Sequence, residues 1–253
     1  DEEEQYLIYR RLIDGVGGKP VTIRTLDVGG DKRLGYHDHG EVANPELGLR
    51  SIRFSLRYPE IFEQQLRAIL RAGVETTQLR IMFPMVSSLD EFRKARAILD
   101  ACKDDLRSRG IRYHPQPSIG MMVELPSVLE AAQEFSREAD FFSIGSNDFI
   151  QYMLAADRGN ESVASHYCPH HPAVLRGIAR FARTAQAHDR PVSVCGEMAH
   201  QKEYIPFLLG VGVRALSVDP HYVADLQDFV QSLTISSTQC EAEALLGECS
   251  IAG

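Results

Sequence analysis

The chain has 253 residues, 44% hydrophobic and 25% charged, so it can bury a full core as one α/β barrel or as two small domains. Its formal net charge of −8 argues against bulk nucleic-acid binding, which needs a basic face. No apolar run approaches the ~20 residues that cross a bilayer. The acidic start is not a signal or transit peptide, and the absence of an initiator methionine suggests a fragment or a processed chain.

Runs rich in Val, Ile, Met and Phe predict six buried strands, at 21–28, 79–85, 119–124, 141–145, 191–195 and 213–218. Amphipathic helices are predicted between and after them, at 61–72, 90–109, 127–137, 174–187 and 222–233. The helix at 90–109 is the clearest, because Ser88 and Glu91 form a capping-box pattern before it.

Strand and helix alternate throughout, which predicts a parallel sheet, either open and doubly wound or closed as a (β/α)₈ barrel. Eight strands require two further short ones, near 47–53 and 166–168. Residues 29–48 are glycine-rich and charged, which predicts a long loop on the active face. Residues 236–253 are expected to form a last helix and a loose tail.

Two carboxylates, Glu124 and Asp148, follow the ends of successive predicted strands. A strand, helix, strand unit makes those strands parallel, so their carboxyl ends share one edge, ~4.8 Å apart if the strands are neighbours. A hard oxygen site with few protein ligands suits Mg²⁺ better than zinc. The alternative is that Asp148 only N-caps the following helix and Glu124 pairs with an arginine; the residues alone leave both open.

Four arginines stand out. Arg24 and Arg80 lie inside apolar runs, where a buried guanidinium needs a carboxylate partner or an anionic ligand. Arg50 and Arg158 fall in predicted loops, where a solvated arginine is the default. A structural role remains open for each alone, but four arginines with a Mg²⁺ pair describe a pocket for a small, highly charged phosphate or carboxylate compound.

Cys195 ends a predicted strand, and Gly196 after it permits a tight turn that aims the thiol into the pocket. A free cysteine is most often inert core filler, and Cys102, on a helix face, is predicted to be of that kind. For Cys195 we expect a catalytic role, as nucleophile or as proton donor. The five cysteines are odd in number and lack paired spacing, which favours a reducing cytoplasm.

Several segments, read together, resemble the C-terminal domain of enzyme I of the bacterial phosphotransferase system, a phosphoenolpyruvate-protein phosphotransferase. They are DEEEQ at 1–5, IRTLDVGGDK at 23–32, NPELGLRSIR at 44–53, LRIMFPM at 79–85, MVELP at 122–126, DFFSIGSND at 140–148, ADRGN at 156–160 and CGE at 195–197. The resemblance covers about residues 1–235. It implies that this part of the chain is a (β/α)₈ barrel that binds phosphoenolpyruvate (PEP) and forms a homodimer, with residues 236–253 as a C-terminal helix and tail.

The resemblance also implies the roles of the site residues. Mg²⁺, or Mn²⁺ in its place, would bind Glu124 and Asp148, and Cys195 would protonate the enolate carbon to give pyruvate. The substrate phosphate and carboxylate would be held by Arg24, Arg50, Arg80, Asn147 and Arg158. The acceptor would be a histidine on a separate domain, whose surroundings nothing in this chain resembles, and a small phosphocarrier protein would be the next partner.

Two alternatives are weighed against this interpretation. The barrel of a pyruvate phosphate dikinase or PEP synthase is similar, but the segments at 157–160 and 29–32 favour enzyme I. A non-catalytic module that binds PEP to regulate dimerisation is disfavoured because Cys195 and both carboxylates are present. Ser146 and Phe149 stand where the family usually has Thr and Leu, and neither change removes a proposed ligand.

Overall fold

The computed structural model describes residues 1–28 and 44–248. Most of the predicted loop at 29–48, the segment at 29–32 and the end of the predicted tail, 249–253, therefore lie outside the described residues. The chain divides into two compact units, Asp1–Met121 and Met122–Gly253. No helix among the described residues combines the length and the apolar character needed to span a membrane.

Unit 1 is built on parallel strands. β1 is Val21–Arg24, β2 is Leu79–Phe83, and β3 is Ser118–Val123, whose last two residues belong to unit 2. β1 pairs with β2 and β2 with β3, both in parallel. The helices of this unit are α1 (Glu2–Gly15), α2 (Ile52–Arg57), α3 (Pro59–Ala72) and α4 (Leu89–Ser108), with short 3₁₀ helices at Pro45–Leu47 and Gly73–Glu75.

Aromatic packing holds the helices of unit 1 to its strands. Phe83 of β2 lies between Phe62 of α3 and Phe92 of α4, with ring centroids 5.9 Å apart in both edge-to-face pairs. α4 begins as predicted, since the Glu91 N–H donates to the Ser88 hydroxyl at 3.3 Å. The Glu91 carboxylate, however, accepts from the N–H of Ser87, the residue before the N-cap, at 2.7 Å.

Unit 2 contains β4 (Phe141–Gly145), β5 (Val192–Cys195) and β6 (Ala215–Ser217), which pair in parallel in chain order. Its helices are α5 (Ser127–Glu130), α6 (Ala132–Glu138), α7 (Ser146–Leu154), α8 (Pro172–Gln186), α9 (Ile205–Gly210), α10 (Val223–Gln231) and α11 (Ile235–Glu248). The predicted helix at 127–137 is thus divided at Ala131. Phe142 of β4 packs edge-on against Phe181 of α8, with ring centroids 4.9 Å apart.

The α/β class with parallel strands is confirmed, but the two extra strands were predicted wrongly. Near 47–53 the chain forms a 3₁₀ turn and then α2, because Ser51 has a φ of +55° that breaks an extended path. Near 166–168 the Ala164–His166 segment is a 3₁₀ turn, closed by the His166 N–H on the Val163 carbonyl at 2.9 Å. The described residues therefore hold six strands.

Candidate active site

Glu124 lies directly after β3 and against Gly145, the last residue of β4. Its exposed fraction is 1%. A Cβ on residue 145 would lie 2.9 Å from Glu124 Cγ, a distance that real Cβ atoms essentially never show, and 3.2 Å from Oε2. Glycine at 145 is therefore what lets the carboxylate reach the carboxyl end of β4.

Asp148 reaches the same end of β4 from the first turn of α7. It is 8% exposed, and its Oδ1 lies 3.7 Å from Arg158 Nη2. The N-cap position of α7 is Gly145, so the alternative that Asp148 is the N-cap is wrong. Glu124 thus lies against the last residue of β4, and Asp148 follows that residue by three positions, in the first turn of α7.

The carboxylate pair is a donor set suited to a hard cation. Mg²⁺ typically takes one or two protein carboxylates and fills its remaining positions with water and substrate phosphate oxygens. Among residues 1–28 and 44–248, no group of three or more His, Cys, Asp or Glu side chains is arranged to hold a metal. Two carboxylates without a histidine or cysteine ligand are the kind of donor set that Mg²⁺ or Mn²⁺ binds.

Cys195 ends β5 and stands opposite Gly145, the residue that Glu124 lies against, in the strand register. Its thiol donates to the Ile144 carbonyl at 3.6 Å and accepts from the Ser143 hydroxyl at 3.8 Å. Cys195 is half-buried, and its neighbours on this face, Ser143 and Ser193, are small.

The turn after Cys195 is locked to the start of α7. The Ser146 hydroxyl donates to the Cys195 carbonyl at 2.8 Å, and the Glu197 N–H donates to Asn147 Oδ1 at 2.9 Å. Gly196 has a φ of +90°, and a Cβ there would lie 2.5 Å from Ser146 Oγ and 2.7 Å from Asn147 Oδ1. With its carbonyl engaged in this way, Asn147 presents its NH₂ group as the donor suited to an anion.

Arg158 is anchored by its backbone. Its N–H donates at 3.1 Å to the side chain of Gln151, which is 6% exposed, while its own side chain is 41% exposed. Sequence reasoning missed Gln151, although its place three residues after Asp148, on the same side of α7, was a signal for it.

Tyr167 is a second residue that sequence reasoning missed. Its hydroxyl donates to the backbone carbonyl of Asn147 at 3.4 Å. Burial raises the pKa of Tyr167 to about 12, helped by the charges of Glu197 and Asp148 and opposed by Arg158. Tyr167 is therefore neutral near pH 7. No pattern in the sequence singles it out.

In unit 1, Arg24 and Arg50 meet on one carboxylate, Asp27, whose side chain is 3% exposed. Arg50 donates to it twice, from Nε at 3.1 Å and from Nη2 at 3.2 Å, and Arg24 Nη1 lies 3.3 Å away. Ser51 also donates to Asp27 through its hydroxyl, and Arg50 Nη1 contacts Glu46. The Arg50 side chain is 7% exposed, so Arg50 is not solvated, as an arginine in a predicted loop ordinarily would be.

These contacts decide the charge of Asp27. Burial by itself raises the pKa of Asp27, but hydrogen bonds from Arg50 and Ser51 and the charges of Arg50 and Arg24 outweigh it. The pKa ends below its ordinary value, and Asp27 is ionised at neutral pH. Sequence reasoning identified the two arginines and missed the carboxylate they share, which follows Arg24 by three residues at the exit of β1.

Arg80 stands apart from the carboxyl ends of the strands. It is the second residue of β2 and pairs with Thr22, whereas Arg24 pairs with Met82. Because side chains alternate along a strand, Arg80 and Arg24 project from the same face, with Arg80 nearer the amino end. Unit 1 thus brings Arg24 and Arg50 together, while unit 2 gathers Glu124, Asn147, Asp148, Arg158 and Cys195.

Residues 1–235 match the family model described as PEP-utilising enzyme, PEP-binding domain. The chain belongs to this family. The resemblance stated from the sequence motifs is thereby confirmed over the range that they covered. As a PEP-binding domain of this family, the chain has its carboxylates and its cysteine in one unit, at the carboxyl ends of neighbouring strands.

Curated relatives of this PEP-binding domain are named phosphoenolpyruvate-protein phosphotransferase. The one from Streptococcus equinus is 42% identical over 98% of this chain and 43% of its own length. The one from Staphylococcus carnosus (strain TM300) is 44% identical over 93% of this chain and 41% of its own length. The chain therefore spans about two fifths of these relatives. A solved HpcH/HpaI aldolase from Desulfitobacterium hafniense is 12% identical over 88% of this chain and 85% of that chain, with a TM-score of 0.41, too low to bear on the fold.

Proposed function

We propose that the chain is the PEP-binding catalytic domain of a phosphoenolpyruvate-protein phosphotransferase. It would pass the phosphoryl group of PEP to a histidine elsewhere in the full-length protein and release pyruvate. The observation that carries the proposal is the placement of three residues near the end of β4 in a member of the PEP-binding family: Glu124 lies against Gly145, Cys195 stands opposite Gly145 in the strand register, and Asp148 lies in the first turn of α7. The names of the relatives support the reaction.

The proposed substrate ligands are Arg24, Arg50, Arg80, Asn147 and Arg158. Arginine suits this task because its planar fork matches phosphate and carboxylate oxygens. Two hydrogen bonds support fixed donor positions. The Arg158 backbone N–H donates to the Gln151 side chain, and the Glu197 backbone N–H donates to the side-chain oxygen of Asn147. Preorganised donors stabilise charge that develops during phosphoryl transfer.

Glu124 and Asp148 are the proposed ligands of Mg²⁺, with Mn²⁺ as a substitute. When bound, the ion would neutralise phosphate charge and polarise the transferred group. The carboxylates are themselves well buried, at 1% and 8% exposure, which keeps the pair in place between turnovers. Without a cation, the pair and the substrate phosphate would repel each other.

Cys195 is the proposed acid. Loss of the phosphoryl group breaks the bond between phosphorus and the bridging oxygen and leaves the enolate of pyruvate. The Cys195 thiol then gives its proton to the methylene carbon, and the resulting thiolate is reprotonated from solvent. The Ile144 carbonyl oxygen, 3.6 Å from Sγ, is an acceptor suited to a protonated thiol.

Further parts of the proposal concern the whole protein. They are a closed (β/α)₈ barrel, which needs two strands beyond the six described, a homodimer, a phosphocarrier partner and a cytoplasmic location. The dimer follows from the family resemblance alone. A monomeric mass by light scattering at high concentration, with PEP and Mg²⁺ present, would contradict it.

Calorimetric titration of PEP into the protein, with Mg²⁺, with Mn²⁺ and with EDTA, tests the site. We expect binding only with a metal present, and Glu124→Gln should weaken Mn²⁺ and PEP binding together. Glu130→Gln is the control, because Glu130 lies in the same unit in an ion pair and is 77% exposed on its side chain. Equal PEP affinity in EDTA would refute the metal assignment. Tight PEP binding without pyruvate release, when the missing histidine domain is supplied, would favour the non-catalytic module.

A further inference from the structure

Arg50 is held by two carboxylates that differ sharply in their surroundings. Asp27 is 3% exposed on its side chain and accepts two hydrogen bonds from Arg50. Glu46 is 32% exposed and contacts Nη1 of Arg50. The two acids therefore bind different edges of one guanidinium group.

Asp27 has the contacts of an anchor. It joins Arg50, Arg24 and the Ser51 hydroxyl at one buried point, immediately after β1. Arginine side chains have many rotamers, and a carboxylate that accepts in a bidentate manner selects among them. Without Asp27, both guanidinium groups would lose their common fixed partner, and an anionic ligand would have to order them on binding.

Glu46 has the contacts of a competitor. It lies on the three-residue 3₁₀ helix Pro45–Leu47, and its partly exposed side chain can turn towards solvent. A carboxylate and a phosphate oxygen use the same N–H donors of an arginine. An anion that binds Arg50 at Nη1 must displace Glu46 or accept repulsion from it.

We propose that these two carboxylates act on substrate binding in opposite senses: Asp27 is a positioning residue that orients Arg24 and Arg50, and Glu46 occupies a contact on Arg50 that the anionic substrate takes. This inference rests on the proposed function, in which Arg24 and Arg50 hold PEP. It extends that function to two residues that are not themselves proposed to bind the substrate.

The test compares three variants that each remove one negative charge from unit 1: Asp27→Asn, Glu46→Gln and Glu75→Gln. Glu75 is the control, since it is 56% exposed on its side chain and pairs with Arg112 at 3.5 Å. PEP affinity is measured by calorimetry at saturating Mn²⁺, and folding is checked by circular dichroism. We expect Asp27→Asn to weaken PEP binding about tenfold or more and Glu46→Gln to strengthen it about threefold or more, in line with the loss or gain of one charge-assisted hydrogen bond. Glu75→Gln should change it less than about twofold, as expected for an exposed charge.

Because all three variants change the net charge equally, opposite signs cannot come from net charge. Shifts of one sign and similar size in Asp27→Asn and Glu46→Gln would overturn the inference. If Asp27→Asn does not fold, Ser51→Ala, which removes one donor to Asp27, must weaken binding, and the gain from Glu46→Gln must vanish in an Arg50→Ala background. A wild-type protein that does not bind PEP refutes the proposed function; failure confined to the variants refutes this inference alone.

Discussion

Replacing Gly145 by alanine tests whether the close approach of Glu124 to β4 builds the metal site. The added Cβ would stand 2.9 Å from Glu124 Cγ and 3.1 Å from the sulfur of Met122. Glu124 is 1% exposed, so its carboxylate cannot swing into solvent to relieve the overlap. The side chain must leave its rotamer or the strand must shift, and overpacking of this kind destabilises a protein by about 1 to 3 kcal/mol.

The same displacement moves one of two proposed metal ligands. Changes that disturb the orientation of a ligand typically lower metal affinity about 10- to 100-fold, and we expect Gly145→Ala to fall in that range for Mn²⁺. Mn²⁺ affinity is measured by electron paramagnetic resonance, and the free energy of unfolding by urea titration.

Gly247→Ala is the matched control, because a Cβ at residue 247 has no neighbour within 4 Å and the residue lies in α11 of the same unit. It should leave Mn²⁺ affinity unchanged. If Gly145→Ala bound Mn²⁺ as tightly as the wild type, Glu124 would not be a ligand fixed by its contact with β4. A loss of stability with unchanged Mn²⁺ affinity would assign Glu124 a structural role only.

Three further outcomes are expected. Cys195→Ala should keep PEP affinity within about twofold yet lose solvent-proton exchange at the pyruvate methyl group, measured by NMR with the histidine domain supplied; poor binding with normal exchange would make the thiol a binding group. Because the pKa of Asp27 is lowered in the folded state, the stability it contributes is present above its ordinary pKa near 3.8 and is lost as pH falls through the folded value. Asp27→Asn should therefore flatten the fall of unfolding free energy below about pH 4 in urea titrations, and an unchanged slope would contradict the ion cluster. Burial raises the pKa of the Cys102 thiol to about 12, so a thiol reagent at pH 8 should modify exposed Cys240 at once and Cys102 only after denaturation; prompt modification of both would contradict the packing.

Much of the candidate site was predictable because its signals are local. Glu124 and Asp148 each follow an apolar run, and strand, helix, strand units place such residues at one edge of a sheet. Cys195 followed the same rule. The role of Gly145 was not predictable, because it depends on how near β3 brings Glu124 to the end of β4, and no spacing along the chain encodes that distance.

The arginines show where local reasoning ends. Arg24 lies inside an apolar run and therefore needs a partner, which is Asp27, three residues later. Arg50 lies in a predicted loop and gave no such signal, and it reaches the same Asp27 only through a contact 23 positions apart in the chain. The two extra strands failed for a related reason. The runs near 47–53 and 166–168 are too short for the spacing of their apolar residues to distinguish a strand from a turn. In the structure, main-chain hydrogen bonds form turns and a helix there.

The sequence by itself determined the α/β class and the six strands, and it singled out the carboxylates, the cysteine and the arginines as candidates, because burial periodicity and polar residues at strand ends are properties of neighbouring residues. Only the tertiary structure decided which groups are in contact: Glu124 against Gly145, the Cys195 turn locked to Ser146 and Asn147, and Arg24 and Arg50 joined at Asp27. Hydrogen bonds and ion pairs act over about 3 Å, and such proximity arises between residues distant in the chain only once the strands have paired and the helices have packed.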